Sequence, residues 1–408
     1  MKDLRLRHQT GNLDGKIQIT GSKSESNRML LLKALFPQIT LDNLSNSDDT
    51  VAMKSGLESD NDLVDIVHAG TSMRFLTAYY STLENQEKTL TGSPRMQERP
   101  IGILVDALRQ LGADIIYLKN EGYPPLFIKG KQLTASEVRL SANISSQYIT
   151  ALMLIAPSLP YGLCLHLEGK ITSIPYIEMT LSLLHQIGVK ATFSGQHIQV
   201  FPKKNGIAQA IHAVESDWSS ASYYFSMIAL SKDADITLST YKEDSLQGDK
   251  VLMDIYEPLG VKSMIKNNIL YLQKQALRSK TVKLDLSDAP DIAQTIAVTC
   301  YGLGVACDLT GLHTLKIKET DRLVALQNEL TKLGAIIEVT DKSLHLHKRT
   351  NSIHPNVLIE TYHDHRMAMA FAPLALLVPI RIQDADVVSK SYPGFWEDLE
   401  QIGFLLGL

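Results

Sequence analysis

Lysine and arginine recur in this chain where a helix should begin, the end at which a cation is least favoured. In GSKSESNRMLLLKAL, Gly21 to Leu35, Ser22 and Glu25 have capping-box spacing and an apolar run follows. Lys23 is therefore predicted as the first helical residue, with Arg28 just above it. A helix N-terminus already carries partial positive charge, so each such cation costs roughly 0.3–1 kcal/mol. Four further segments repeat the arrangement. AGTSMRFL puts Arg74 after a Thr71 or Ser72 cap, and MQERPIG puts Arg99 directly before Pro100, a residue suited to a helical first turn. KIKETDRLV brackets a Thr320 cap with Lys318 and Arg322, and HDHRMAMAF sets His365 and Arg366 behind Asp364. Free amides, helix dipole and cations together make charge-assisted bonds to phosphates and carboxylates. The pattern points to small ligands carrying several negative charges.

Uncharged donors accompany these cations. SANISSQYIT offers Ser145, Ser146 and Gln147 at another helix start, and ITSIPYIEM offers Ser173 and Tyr176 around Pro175. Such groups bind phosphate or sugar hydroxyls, or simply cap the helix. Asp288, Asp291 and Glu319 are acid–base candidates: a carboxylate among Lys318, Arg322 and a polyanionic ligand has its pKa moved in opposing directions by these neighbours, and the sequence does not set which direction wins. His363 and His365 flank Asp364, but no third ligand lies at metal-site spacing, so no metal is predicted.

A repeat supplies the elements that must hold these residues. LVDALRQLGADIIY, LSLLHQIGVKATF, VLMDIYEPLGVKSMI and LQNELTKLGAIIEV each read as a helix, a stop glycine and a strand. Their glycines, Gly112, Gly188, Gly260 and Gly334, are spaced by 76, 72 and 74 residues. Gly56 and Gly403 extend the series to six units, the first shortened by about twenty residues between Gly56 and His68. The chain is expected to cross between halves near IHAVESDWSSASYYF, where a strand leads into a Ser-capped helix, and the N-terminal strand to join the C-terminal half.

Bulk properties agree. A chain of 408 residues with 44% hydrophobic content exceeds one ordinary core and implies two domains of about 200 residues. Forty basic against 44 acidic residues, with no long basic run, argues against nucleic acid. Cys164, Cys300 and Cys307 form no CxxC and read as buried thiols. No leader h-region or membrane-length apolar run is present, and a cytoplasmic protein is expected.

GSKSESNR, AGTSMR, RMQERPIG, SSQY, SIPYIEMTL, SDWSSASY, APDIAQT, KETDR, DHRMAMAF and SKSYPGFW, in this order along nearly the whole chain, resemble the enolpyruvyl transferases, most closely the branch acting on shikimate 3-phosphate. The resemblance implies an α/β (α+β) fold of two similar domains, each of three βαβαββ repeats packed around buried helices, an inside-out α/β barrel. The domains would be 1–20 plus 214–408 and 21–213, with the active site in the cleft between them. It implies transfer of the enolpyruvyl group of phosphoenolpyruvate to the 5-hydroxyl of shikimate 3-phosphate through a tetrahedral ketal, releasing phosphate. No metal or organic cofactor is implied, nor a nucleic-acid or membrane partner, and a monomer is expected.

By the same resemblance, Ser24, Arg28, Ser145, Ser146, Ser173 and Tyr176 would hold shikimate 3-phosphate, with Thr314 near its ring. Arg99, Arg322, Arg366 and Lys390 would hold phosphoenolpyruvate, with Gly70 giving close backbone approach and Gln147 between the ligands. Lys23 would touch both and protonate the departing phosphate. Asp291 would take the hydroxyl proton and Glu319 would protonate the methylene carbon, while Lys318 and His365 complete the charge field. His68 and Phe75 stand where the family has Asn and Pro, and Thr314 where many members have Asn. Gly70, lacking a methyl group, is compatible with the family inhibitor glyphosate. The sister transferase acting on UDP-N-acetylglucosamine uses a loop cysteine that this chain lacks. A six-repeat DNA clamp would place its cations along helix faces, and an inactive paralogue would not need Lys23, Asp291 and Glu319.

Overall fold

The computed structural model describes residues 3–141, 146–171, 174–203 and 210–407. The chain forms two compact units, Met1–Thr20 with Glu215–Leu408, and Gly21–Val214. Val214 belongs with the second of these, where its N–H donates to Asp42 O at 3.0 Å.

In the unit containing both termini, three four-stranded sheets share one topology. Asn12–Ile17 runs parallel to Asp233–Ser239, which pairs antiparallel with Ile269–Lys274, and Val261–Lys266 completes the sheet. Thr281–Asp285, Ala306–Thr310, Leu344–Leu346 and Ile337–Val339 repeat the pattern. The third sheet joins Leu358–Ile359 and Ile380–Ile382 to Phe404–Gly407 through Leu4–His8, so the strand closing this repeat comes from the start of the chain. Each sheet follows the order βαβαββ, the parallel pair requiring a helical crossover and the antiparallel pair only a tight turn.

Two kinds of helix alternate. Trp218–Leu230, Ala293–Leu303 and His365–Phe371 are buried almost throughout and pack on one another, which their apolar, small-residue sequences allow on every face. Arg322–Lys332 is instead amphipathic, burying Leu323, Leu326 and Leu330.

The second unit has the same plan around Lys23–Leu35, Gly70–Ser81 and Ser146–Ile155. Two of its sheets are four-stranded. Among the described residues the third contains only Ile39–Asp42 parallel to Ala210–Ala213. Between the helix Asp48–Leu57 and the strand Leu63–Asp65 only five residues intervene, too few for the hairpin that other repeats carry there. The first repeat is thus a βαβα remnant.

Five of the six repeat glycines, Gly112, Gly188, Gly260, Gly334 and Gly403, have φ between 76° and 100°, the left-handed conformation of a helix stop. Gly56 departs from the expectation. It lies inside Asp48–Leu57, and a Cβ there would stand 2.4 Å from Leu76 Cδ1, so close packing rather than chain reversal requires it.

Several expected caps are also corrected. Ser22 is the N-cap of Lys23–Leu35 but makes no side-chain cap bond, and Glu25 pairs with His212 Nε2 at 2.8 Å instead of closing a capping box. The Arg322 helix is capped by Asp321, not Thr320, and Trp218–Leu230 by Asp217, not serine. Thr71 and Ser72 lie inside a helix that starts at Gly70 without a side-chain cap, and Arg99 and Pro100 precede one that starts at Gly102. At the Arg322 and Trp218 helices an aspartate was available and its carboxylate accepts the amide, the stronger acceptor. Among the described residues no helix is long and apolar enough to cross a membrane.

Candidate active site

In the unit Met1–Thr20 with Glu215–Leu408, the starts of all three buried helices are joined by hydrogen bonds. Arg366, the second residue of His365–Phe371, donates through Nη1 to Asp291 O at 2.9 Å and through Nη2 to Ser219 Oγ at 3.2 Å, while Nη2 lies 3.3 Å from Asp291 Oδ2. Asp291 sits in the short turn Pro290–Ile292 that leads into Ala293–Leu303, and Ser219 is in the first turn of Trp218–Leu230. Three positive helix ends and a guanidinium therefore share one locality.

Arg322 organises the carboxylates. It is 1% exposed, and its Nε donates to Asp364 Oδ2 at 2.7 Å, its Nη1 to Asp291 Oδ1 at 3.0 Å and its Nη2 to Glu319 Oε2 at 2.7 Å. Most of its donors thus go to protein carboxylates, whereas the resemblance had assigned it to phosphoenolpyruvate. Lys390 Nζ lies 2.9 Å from Glu319 Oε1 and Lys318 Nζ 3.5 Å from Asp291 Oδ1. His365 is buried, its Nδ1 3.6 Å from Asp364 Oδ1, and Thr314 lies in the turn His313–Ile317. Asp288, weighed beside Asp291 as a carboxylate, has no ion pair among those found in the described residues, whereas Asp291 has three.

These pairings set proton affinities. Burial would raise the Asp291 pKa, but Arg366, Lys318 and Arg322 outweigh it and hold the carboxyl well below the usual range. Burial likewise opposes the charge on Arg322, yet Asp364, Glu319 and Asp291 raise its pKa, and Asp291 does the same for Arg366. Lys318 is supported by Asp291, but burial and repulsion from Arg322 and Arg366 bring it below the ordinary lysine value. The result is a fixed array of ionised groups with an ammonium that loses its proton more readily than usual.

The unit Gly21–Val214 carries a second cluster, again at the starts of its buried helices. Lys23, the first residue of Lys23–Leu35, pairs with buried Asp49 at 3.1 Å. Gly70 opens the next buried helix, and the Arg99 guanidinium lies over it so closely that a Cβ on Gly70 would stand 2.6 Å from Nη1. Gln147 Nε2 donates to Thr71 Oγ1 at 3.3 Å, tying Ser146–Ile155 to the same point. Among the described residues Arg99 has no carboxylate partner, so it and the helix end present unneutralised positive charge.

Arg28 and Arg74 differ from that picture. Arg28 is buried, its Nη1 donating to Ser24 O at 2.7 Å and its Nε to Thr180 Oγ1 at 2.9 Å, with its guanidinium 5.6 Å from the Tyr176 ring centroid and 5.8 Å from that of Phe75. The departure at Phe75 thus provides an aromatic face for Arg28. Arg74 caps backbone carbonyls at Gly70 and Pro100. Burial lowers both guanidinium pKa values to about 10, and both stay charged at neutral pH. His68, a second departure, bonds Ser93 at 2.8 Å. Ser145 and Ser173 lie outside the described residues.

Sequence reading missed Asp49, Ser219 and Asp249, and took Asp364 only for a cap. Nothing in the SDDT, DWSS or QGDK contexts signals the Lys23–Asp49 pair or the Arg366–Ser219–Asp249 bonds, because the partners are far apart along the chain.

A model of the family described as EPSP synthase (3-phosphoshikimate 1-carboxyvinyltransferase) matches residues 54–399. The chain is 47% identical over 396 residues to a Bacteroides fragilis protein named 3-phosphoshikimate 1-carboxyvinyltransferase, covering 95% of each. It is 37% identical to a protein of the same name from Shewanella sediminis, covering 97% of this chain and 98% of that one. Among solved structures, an EPSP synthase from Acinetobacter baumannii superposes with a TM-score of 0.78 at 20% identity, over the whole of both chains. The enolpyruvyl transferase NikO from Streptomyces tendae superposes with a TM-score of 0.74 at 15% identity, over 100% of this chain and 99% of that one. These last two likenesses concern the fold.

Proposed function

This chain belongs to the EPSP synthase family, and from that premise we propose that it transfers the enolpyruvyl group of phosphoenolpyruvate to the 5-hydroxyl of shikimate 3-phosphate, releasing phosphate, as a step of aromatic biosynthesis. The observation that carries the reading is the pair Asp291 and Glu319, two carboxylates held on one guanidinium, Arg322, with Lys318, Arg366 and Lys390 against them. One addition–elimination reaction needs two proton-transfer groups and an electrostatic cradle for developing negative charge, and this cluster contains both.

In this reading Arg366 and Lys390 take the anionic groups of phosphoenolpyruvate, together with Arg99 and the Gly70 helix end. Arg322 acts chiefly by orienting the two carboxylates. As an anion draws on Arg366 and Lys318, their stabilisation of ionised Asp291 weakens and the carboxylate becomes the stronger base required to take the 5-hydroxyl proton. Glu319 enters this step protonated, having taken up a proton from solvent as the bound anions draw Lys390 away from it, and gives that proton to C3 while the oxygen bonds to C2, forming the ketal. In the second half Glu319 recovers a proton from C3, the C2–O bond to phosphate breaks, and Lys23 protonates the leaving group. Ser24, Ser145, Ser146, Gln147, Ser173, Tyr176 and Thr314 hold shikimate 3-phosphate, and Arg28 supports the helix start at Ser24. His365 and Lys318 complete the field. The reading is of a cytoplasmic monomer working on small anions without metal or cofactor.

The test is phosphate release from purified protein given both substrates, with each omitted in turn. Release that needs both supports the assignment, and none with both present refutes it.

A further inference from the structure

Arg366 is held by a second carboxylate through an intermediary. Its Nη2 donates to Ser219 Oγ at 3.2 Å, and Ser219 Oγ donates to Asp249 Oδ2 at 2.5 Å. Asp249 belongs to the turn Gly248–Val251 and is buried. We propose that Asp249 is a proton-linked positioning residue, taking up a proton when an anionic substrate binds at Arg366 and so removing one negative charge from beside the cation cluster when it is loaded. This inference rests on the reading that Arg366 holds phosphoenolpyruvate.

The charge balance supplies the reason. Lys318, Arg322, Arg366 and Lys390 face the carboxylates of Asp291, Glu319 and Asp364. Asp217 and ionised Asp249 add two further negative charges near Arg366, and protonating Asp249 removes one of them, leaving one more net positive charge for the incoming anion. The groups facing Asp249 are Ser219 and Asp217 at the start of Trp218–Leu230, Asp291 on its turn, and Arg366 on its helix. Burial and the charge of Asp291, with Asp217 adding, push the Asp249 pKa up to about 6 against the Ser219 bond and Arg366. A carboxyl so placed is protonated by a modest further push, and an anion arriving at Arg366 provides it. By linkage the same anion binds less tightly once the pH rises far enough to keep Asp249 ionised. Ser219 would communicate the change geometrically, since its hydroxyl serves both partners.

The experiment follows KM for phosphoenolpyruvate at saturating shikimate 3-phosphate from about pH 5.5 to about pH 8.5 in wild type, Asp249→Asn and Ser219→Ala. The substrate phosphate titrates near pH 6 in all three, so differences between profiles isolate Asp249. Wild-type KM is expected to rise about tenfold more across the range than that of Asp249→Asn, as for a coupled shift of about one pKa unit. Ser219→Ala, which removes the bond that favours the ionised carboxylate, should move the rise to higher pH. If Asp249→Asn does not fold, the Ser219→Ala profile and proton uptake by wild type on binding, read by calorimetry in two buffers, decide the matter. Parallel profiles for wild type and both variants, or binding without proton uptake, overturn this inference and leave the transferase reading standing. No phosphate release at any pH overturns both.

Discussion

Arg322 Nε donates to Asp364 Oδ2 at 2.7 Å between side chains that are 2% and 0% exposed. Asp364 also accepts the Arg366 amide at 2.9 Å as the N-cap of that helix. One carboxylate thereby sets both a helix start and the guanidinium that carries the two acid–base groups. Breaking a buried pair of this kind leaves a charge without its partner and costs about 3–5 kcal/mol. Arg322→Lys, which cannot span three carboxylates, is expected to lower stability by roughly that amount and turnover by at least about a hundredfold. Urea unfolding and phosphate release measure the two effects.

Glu319→Gln and Asp291→Asn should separate the two proton transfers. Each is expected to slow turnover by about 10²- to 10⁴-fold. Glu319→Gln should in addition stop the exchange of solvent deuterium into the methylene of phosphoenolpyruvate, followed by NMR. Exchange at the wild-type rate would remove Glu319 from its role.

Gly70→Ala places a methyl 2.6 Å from Arg99 Nη1, the far end of a flexible side chain. The fold should tolerate this, with Tm nearly unchanged. Displacing Arg99 is expected to raise KM for phosphoenolpyruvate by about ten- to a hundredfold and to weaken glyphosate inhibition. Steady-state kinetics with and without the inhibitor read the outcome.

Asp249 and Asp291 predict opposite stability profiles. The Asp249 pKa is raised to about 6, so between about pH 4 and about pH 6 the folded state binds more protons than the unfolded chain and this group's contribution falls as pH rises. Asp249→Asn should remove that slope, making the variant more stable than wild type at pH 8 by roughly 2–3 kcal/mol. The Asp291 pKa is depressed, so its contribution is present above the unfolded value and is lost only as pH falls through its own lower one. Asp291→Asn should therefore lose stability at pH 7. Thermal unfolding at pH 5 and pH 8 tests both signs.

Local sequence determined whatever depends on neighbours along the chain. Left-handed glycines at 112, 188, 260, 334 and 403 mark helix stops because only the missing Cβ permits that conformation at no steric cost. The uniformly apolar segments had to become buried helices, and the missing hairpin of the first repeat was visible as missing length. Cations at helix starts were visible because the disfavoured dipole interaction is itself local. Tertiary structure decided which of those cations are neutralised. Arg28 turned inward to Ser24 and Thr180, Arg322 to carboxylates 31 and 42 positions away, and Arg366 to Asp291 and Ser219 at separations of 75 and 147. Caps, too, were settled by competition among adjacent acceptors, and Glu25 left its capping box for His212, 187 residues on. Charge interactions depend on distance and burial in space, and neither is a function of separation along the chain.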